Sequence, residues 1–489
     1  MRSIKLILFV LTGASCIACT RTKKEDLHRP NIVYILCDDL GYGDVNSMAP
    51  DYCAIQTPHI DQLAAEGMMF TNAHSGSSVC TPTRYGLLTG RYAWRTWLQQ
   101  GVVQGHADPL IAEDRLTVAG FLKEQGYQTA IIGKWHLNFN YLNPETREKI
   151  GLKDKAGTPV GTLIPDGPVT RGFDYFFGFH HSRAMKTVIE NDRVVREIEV
   201  VEMLPLLAEK SVEYIDSKAE DARNGKPFFL YVPLNSPHTP IVPSEEWKGK
   251  SGIGDYGDYV METDWATGEI LQALEKNGLR ERTLIIFTSD NGCSKAADFK
   301  HLNAQGHYPS AHLRGSKADI WDGGHRVPFL VRWPGKVKAG STNDQLVCHT
   351  DLMATCADIL GVRLPGNASV DGISLKQALY GRQIPNEREA VVHHSINGKF
   401  AIRKGKWKLI FCSGSGGWSA PNDREATEMG WPQIQLYDME ADIAEEFNVS
   451  TRYPEVVEEL TALITAYIEK GRSTEGEKLD NDAAVDLWK

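Results

Sequence analysis

Beyond its first nineteen residues the chain contains no apolar run long enough to cross a bilayer, which excludes a polytopic membrane protein. It also has no basic block: 53 Lys and Arg stand against 63 Asp and Glu, for a formal net charge of −10. That balance argues against a nucleic-acid partner. An anionic substrate must be held by a local basic pocket set in a mildly repulsive field. Internal repeats and low-complexity segments are missing. A disulfide framework is missing too, because the cysteines outside the leader (37, 53, 80, 293, 348, 356 and 412) are odd in number and scattered, and they form no zinc pattern. What remains is ordinary globular composition, 42% apolar and 24% charged over 489 residues, ample for a large core.

The leader, MRSIKLILFVLTGASCIAC, passes from a cationic start through a short apolar stretch to small residues. It reads as an export signal over 1–19. Cys16 and Cys19, each after small residues and ahead of a polar segment, resemble the lipid-modified cysteine of a bacterial lipoprotein. Simple cleavage without a lipid is the alternative, because the position where Leu is usual holds Gly13 or Cys16. The protein is expected in the periplasm or at the cell surface, touching membrane only through such an anchor. The sequons at Asn367 and Asn448 are read as unused.

Strand-like runs then alternate with helical patterns. NIVYILCD (31–38), QTAIIGKW (128–135), PFFLYVPLNSPH (227–238), TLIIFTSDNG (283–292) and VPFLVRW (327–333) read as buried strands. Thr57 caps a helix with Pro58 at its first position, and a long amphipathic helix ends at Gly278. This βα alternation predicts a mostly parallel sheet covered by helices on both faces, spanning 28–385. Hairpin-like runs and a final helix from residue 386 to 489 predict a small antiparallel subdomain.

Polar residues cluster where the buried runs end: Asp38 and Asp39, then Lys134 and His136, then His238, then Asp290 and Asn291. In open α/β sheets the crevice beyond the strands' carboxyl ends is the ligand site. Asp38, Asp39, Asp290 and Asn291 offer only hard oxygen donors, suited to Ca²⁺ or Mg²⁺ rather than zinc. Either pair alone would more often be a turn or a helix cap.

The segment CTPTRYGLLTGR places Cys80, Pro82 and Arg84 ahead of Leu87, Leu88, Thr89, Gly90 and Arg91. It resembles the maturation signature of the type I sulfatases, in which the cysteine becomes Cα-formylglycine. Other motifs follow that family's order: DDLGYGD (38–44), GKWHL (133–137), SPH (236–238), TSDNG (288–292), RGSKADIWDGGHRVP (314–328) and LYDM (436–439). The resemblance spans nearly the whole chain after the leader and implies an alkaline-phosphatase-like α/β fold.

It also implies roles. Cys80, oxidised by a formylglycine-generating enzyme, supplies the nucleophile as an aldehyde hydrate, and Arg84 holds that hydrate. Ca²⁺ is bound by Asp38, Asp39, Asp290, Asn291 and the modified Cys80. Lys134 and Lys317 neutralise sulfate, His136 is the base, and His238, also a sulfate contact, donates a proton to the leaving alcohol. His325 is expected to be structural, and His180-His181 and His393-His394 are candidates for a substrate cleft. Aromatic runs such as FDYFFGFHH (173–181) suit a sulfated carbohydrate, with a lean toward 6-O-sulfated galactose or N-acetylgalactosamine. Two rival readings are a phosphoesterase or phosphonate hydrolase of the same fold, and a sulfated-glycan binding protein that has lost catalysis.

Overall fold

The computed structural model describes residues 29–105, 108–151, 158–384 and 388–489. The leader expected at 1–19 and the domain boundary expected at 385/386 fall outside these residues.

Ten strands form the main sheet: β1 (Asn31–Asp38), β2 (Met68–Phe70), β3 (Gln128–Lys134), β4 (Tyr175–Phe179), β5 (Thr187–Glu190), β6 (Arg193–Glu197), β7 (Phe228–Pro237), β8 (Thr283–Ser289), β9 (Phe329–Arg332) and β10 (Ser341–Asn343). They lie in the order β10-β2-β9-β8-β1-β7-β3-β4-β5-β6. The five central strands, β8-β1-β7-β3-β4, are parallel throughout. The run at 327–333 is a strand as expected, but β9 lies antiparallel to β8, closing the parallel block on that side.

The central strands carry unbroken apolar stretches, with polar residues toward their ends, because both faces are covered. On β1, Val33, Ile35 and Cys37 pack with Leu207 and Ile215 of helix α1 (Met203–Arg223) and with Tyr259 and Ile270 of α2 (Asp255–Lys276). Ile32, Tyr34 and Leu36 face the other way, toward Leu87 and Leu88 near the end of the helix Cys80–Thr89 and toward Phe121 and Leu122. Each large apolar side chain buried this way contributes about 1.5–3 kcal/mol. Phe176, Phe177 and Phe179 of the aromatic run are core residues of β4, not a sugar surface. The helix after Thr57 runs from Pro58 to Glu66 as expected, but the Thr57 hydroxyl does not cap it; it accepts the Asn46 N–H at 3.1 Å instead.

The C-terminal part carries four antiparallel strands in chain order, β11 (Val391–His394), β12 (Phe400–Lys404), β13 (Trp407–Ile410) and β14 (Gln435–Asp438). Ile402 and Leu409 pack under Leu460 and Ile464 of the last helix, Pro454–Lys470. The opposite face, through Ala401, Ile410 and Tyr437, packs on Ile320 and Trp321, just past Lys317. The chain then crosses back: Asp482 accepts from Arg91 at 2.9 and 3.0 Å, and Asn481 accepts from Arg95 at 3.0 Å. Among the described residues no helix is long and apolar enough to cross a membrane.

Candidate active site

Every residue singled out at a strand end comes to one place, at the carboxyl ends of the parallel strands. Asp38 closes β1, Lys134 closes β3, and Asp290 and Asn291 follow β8. Two of these turns demand unusual backbone: Asp39 (φ 68°) and His136 (φ 54°) are left-handed, as is Ala318 (φ 80°) beside Lys317. Such conformations in non-glycine residues cost of order 1–3 kcal/mol and persist where the surroundings over-determine them. Here the surroundings are loops in direct contact. A Cβ on Gly292 would lie 1.9 Å from the Gly323 carbonyl oxygen, so only glycine lets the TSDNG and WDGG turns meet.

Cys80 is the first residue of its helix, buried, with the positive end of the helix dipole at its own position. Burial pushes its thiol pKa up, against the pull of Lys134 and Lys317, so the unmodified side chain is a thiol rather than a thiolate nucleophile. One turn on, the Arg84 guanidinium donates to Asp290 Oδ2 at 2.6 and 3.0 Å and to the Lys134 carbonyl at 3.3 Å, and lies 3.4 Å from Asp38 Oδ1. Lys134 Nζ donates to Asp38 Oδ2 (2.6 Å) and Ser182 Oγ (3.2 Å). Lys317 Nζ is held by both Asp39 oxygens, at 2.6 and 2.7 Å. Asn291 Nδ2 donates to Asp39 Oδ1 at 2.7 Å.

Three carboxylates thus face three cations. Burial opposes ionisation of Asp38, but Lys134, His238, Arg84 and Lys317 hold its carboxyl well below the usual range. Asp290 is shifted upward, by burial and by the charge of Asp38, with Arg84 opposing. Asp38 Oδ1 and Asn291 Oδ1 are buried and accept no hydrogen bond. Oxygens of Asp38 and Asp290 and the Cys80 sulfur lie within 4.8 Å of one another, so the donors fit a hard divalent cation.

The two histidines are set differently. His136 Nε2 is 3.3 Å from the Val103 carbonyl, and its Nδ1 is buried with no partner. Burial, then Lys134, pulls its pKa well down. The Thr81 hydroxyl donates to the His136 carbonyl at 3.0 Å, fixing this residue against the start of the Cys80 helix. His238 is the group that reaches solvent, with its side chain 15% exposed and Nε2 3.6 Å from Asp39 Oδ2. Its Nδ1 donates to the Thr239 carbonyl at 2.6 Å. Burial and Lys317 lower its pKa, and Asp39 opposes them.

The remaining histidines divide. The His181 ring lies 5.8 Å from that of His136, close to the site. His393 and His394 do not line a cleft, because both are buried in β11. His393 stacks on His325 at 3.9 Å and 11°, and His74 Nδ1 is 3.1 Å from His325 Nδ1. These three rings bring nitrogens together, but each ring already has a partner inside the protein: His74 Nε2 lies 2.9 Å from Asn72 Oδ1 and His325 Nε2 3.0 Å from the Ile320 carbonyl. The cluster holds the approach to Cys80 instead, His393 Nδ1 donating to the Ser75 carbonyl at 2.9 Å and the Ser75 N–H to the His325 carbonyl at 2.8 Å. Sequence reasoning missed His74 and Ser182, which stand alone in the chain, and Asp319 and Asp322, which sit inside a known motif with no spacing to reveal their contacts.

On this alkaline-phosphatase-like sheet the likeness to known proteins decides the class: the protein is a sulfuric ester hydrolase, and the chain belongs to the sulfatase family. Residues 30–362 match the Sulfatase family, and residues 316–470 match the family described as N-sulphoglucosamine sulphohydrolase, C-terminal. Among individual relatives, the N-acetylgalactosamine-6-O-sulfatase of Bacteroides thetaiotaomicron is 32% identical, over 95% of this chain and 99% of that protein. Human arylsulfatase A is also 32% identical, over 89% and 87%. A solved sulfatase from the glycosaminoglycan-metabolism locus of Bacteroides thetaiotaomicron superposes with a TM-score of 0.77 at 32% identity, covering 90% of this chain and 99% of the other. A structure in complex with k-i-k-neocarrahexaose gives 0.72 at 25% identity, covering 92% and 95%.

Proposed function

We propose that this sulfatase is an exported enzyme removing O-sulfate from a carbohydrate, using formylglycine made from Cys80 and a bound calcium ion. The observation that carries the reading is the convergence of Asp38 and Asp290 on Cys80, with Asp39 bonded to Asp290 and to Asn291 beside them and Lys134 and Lys317 paired to Asp38 and Asp39. The leader at 1–19 would deliver the chain to the periplasm or cell surface, with Cys16 or Cys19 as the lipid-bearing residue. A formylglycine-generating enzyme would be the maturation partner. The parts at 28–385 and 386–489 would act as catalytic domain and subdomain.

Asp38, Asp39, Asp290, Asn291 and the modified position 80 would hold the calcium, which supplies Lewis-acid polarisation of a sulfate oxygen. Formylglycine at position 80 supplies a hydrated carbonyl as nucleophile toward sulfur. The other groups work as follows. Lys134 and Lys317 balance the Asp38 and Asp39 charges at rest and present N–H donors to the sulfuryl oxygens, a charge-assisted interaction in a dry site. Arg84 keeps Asp290 oriented through its two hydrogen bonds. With its Nε2–H on the Val103 carbonyl, His136 keeps Nδ1 unprotonated, and the lowered pKa leaves that lone pair open to take a proton during the reaction. His238 donates a proton from Nε2 to the departing sugar oxygen when its ring is the imidazolium, the form that Asp39 favours; Nδ1–H stays on the Thr239 carbonyl, and the ring is left neutral.

The substrate reading leans to 6-O-sulfated N-acetylgalactosamine or galactose, supported by the named activity of the Bacteroides relative. The test is matured protein incubated with a panel of sulfated mono- and disaccharides, nitrophenyl sulfate and phosphate esters, the desulfated products identified by mass. Release from a 6-O-sulfated galacto-configured sugar is expected. Faster turnover of phosphate esters would overturn the reading.

A further inference from the structure

Of the eleven tryptophans, Trp97, Trp418, Trp431 and Trp488 are exposed, and these four differ in how they are held. Trp418 is 50% exposed and lies in the segment CSGSGGWSAP (412–421), between β13 and β14. Its backbone is fixed to both segments that carry site residues. Its N–H donates to Asp319 Oδ1 at 2.8 Å, and the Ser419 N–H donates to the same oxygen at 2.9 Å. The other Asp319 oxygen accepts the Ser316 N–H at 2.9 Å, so one carboxylate clasps the Trp418 loop to the turn holding Lys317. From the other side, Lys295, four residues past Asn291, donates to the Trp418 carbonyl at 3.0 Å.

The loop also presses against this turn. A Cβ on Gly417 would lie 2.3 Å from the Ala318 carbonyl oxygen, closer than any side chain allows. The Ile320 N–H closes the contact on the Ser415 carbonyl at 2.8 Å. A loop sewn down this tightly orders its backbone at an entropic cost, yet leaves half of its largest apolar side chain in water. Trp97, Trp431 and Trp488 are exposed as well, but their backbone hydrogen bonds stay local: the Trp97 carbonyl accepts from Gln99, the Trp431 N–H donates to the Ala426 carbonyl, and the Trp488 N–H donates to Asp486.

We propose that Trp418 is a specificity-determining residue, a rigid aromatic platform on which a sugar ring of the sulfated glycan stacks at the rim of the site. The indole presents a flat apolar face to the C–H side of a pyranose, with the Lys295 ammonium beside it for a further anionic group. Its place on the Lys317 turn ties the stacked ring to the sulfate held by that lysine. The inference deepens the carbohydrate reading and rests on it.

Trp418→Ala and Trp418→Phe are compared with the parent on a 6-O-sulfated oligosaccharide and on nitrophenyl sulfate, with melting temperature measured for each. Trp418→Ala should lose about 10–100-fold in kcat/KM on the oligosaccharide, chiefly through KM, as truncation of a Trp anchor does elsewhere. Nitrophenyl sulfate turnover should stay within about twofold, and Trp418→Phe should restore part of the loss. In a Cys80→Ala background, Trp418→Ala should weaken oligosaccharide binding by a similar factor in calorimetry, a readout independent of turnover. If the parent cleaves the oligosaccharide and Trp418→Ala does so equally well, the platform is refuted while the carbohydrate reading stands. Equal losses on both substrates would make Trp418 a support for the Lys317 turn and overturn the platform. A parent that hydrolyses aryl sulfates but no sulfated sugar overturns the carbohydrate reading, and the platform with it.

Discussion

Replacing Arg84 by Met keeps an elongated side chain in place and removes one of three buried cations. Asp290 loses two hydrogen bonds, at 2.6 and 3.0 Å, and Asp38 loses a charge 3.4 Å away, all at positions without solvent contact. Breaking a buried pair by removing one partner costs about 3–5 kcal/mol, because the remaining charge is left uncompensated. With an unfolding entropy of about 2.1 cal/mol/K per residue, the 489-residue chain has roughly 1 kcal/mol/K in total, so the melting temperature should fall by about 3–5 °C in chelator. The variant also has two cations against three carboxylates, a deficit that a bound dication fills. Calcium should therefore bind it with a greater stabilising increment than it gives the parent. Differential scanning fluorimetry of both proteins, in chelator and in saturating calcium, measures the two quantities. A melting temperature within 1 °C of the parent in chelator, or equal calcium increments, would show that Arg84 is not the counter-ion of these carboxylates.

Three further outcomes are expected. His238→Ala should lose on the order of 10²–10⁴-fold on a sugar sulfate and far less on nitrophenyl sulfate, whose leaving group needs no acid, whereas Lys317→Ala should impair both evenly; equal losses for His238→Ala would make it a sulfate ligand instead. Burial holds His349, His393 and His394 at about 3 in the folded protein. Their neutral forms therefore support the fold above the unfolded value of about 6.5, and that support is lost as pH falls from there toward 3. Between pH 7 and pH 5 each should cost roughly 2 kcal/mol, read as a falling urea midpoint, and a midpoint unchanged across that range would refute their burial as neutral rings. A tryptic peptide spanning Cys80, from cells containing the maturation enzyme, should be lighter than encoded and react with a hydrazide probe, with activity proportional to that fraction; full turnover by an unmodified thiol would sink the mechanism.

Much of the catalytic sheet was readable because doubly covered parallel strands must carry unbroken apolar stretches, and four such runs ended in chemically conspicuous residues. Cys80 and the oxygen donors stand in motifs that are legible without any contact. The direction of β9 was not readable, since Phe329–Arg332 is as apolar as its parallel neighbours and only its connection to the previous turn reverses it. The pairing of Lys134 with Asp38 and of Lys317 with Asp39 spans 96 and 278 residues, a long-range match that no local pattern encodes. The aromatic run at 173–181 misled for the converse reason: a buried strand and a sugar platform use the same residues, and only exposure separates them.

The return of the chain's last segment onto the catalytic part has a consequence in time. The stretch after Cys80 is clamped through Arg91 to Asp482 and through Arg95 to Asp371 and Asn481, contacts that span up to 391 positions. Synthesis runs from the amino end at about 5–20 residues per second, so these clamps close only when nearly the whole chain has been made. For roughly 20–80 s the Cys80 segment exists without the partners that will bury it. In that interval Cys80, 3% exposed in the folded chain, is open to chemistry from outside, and a shorter route to burial would close it.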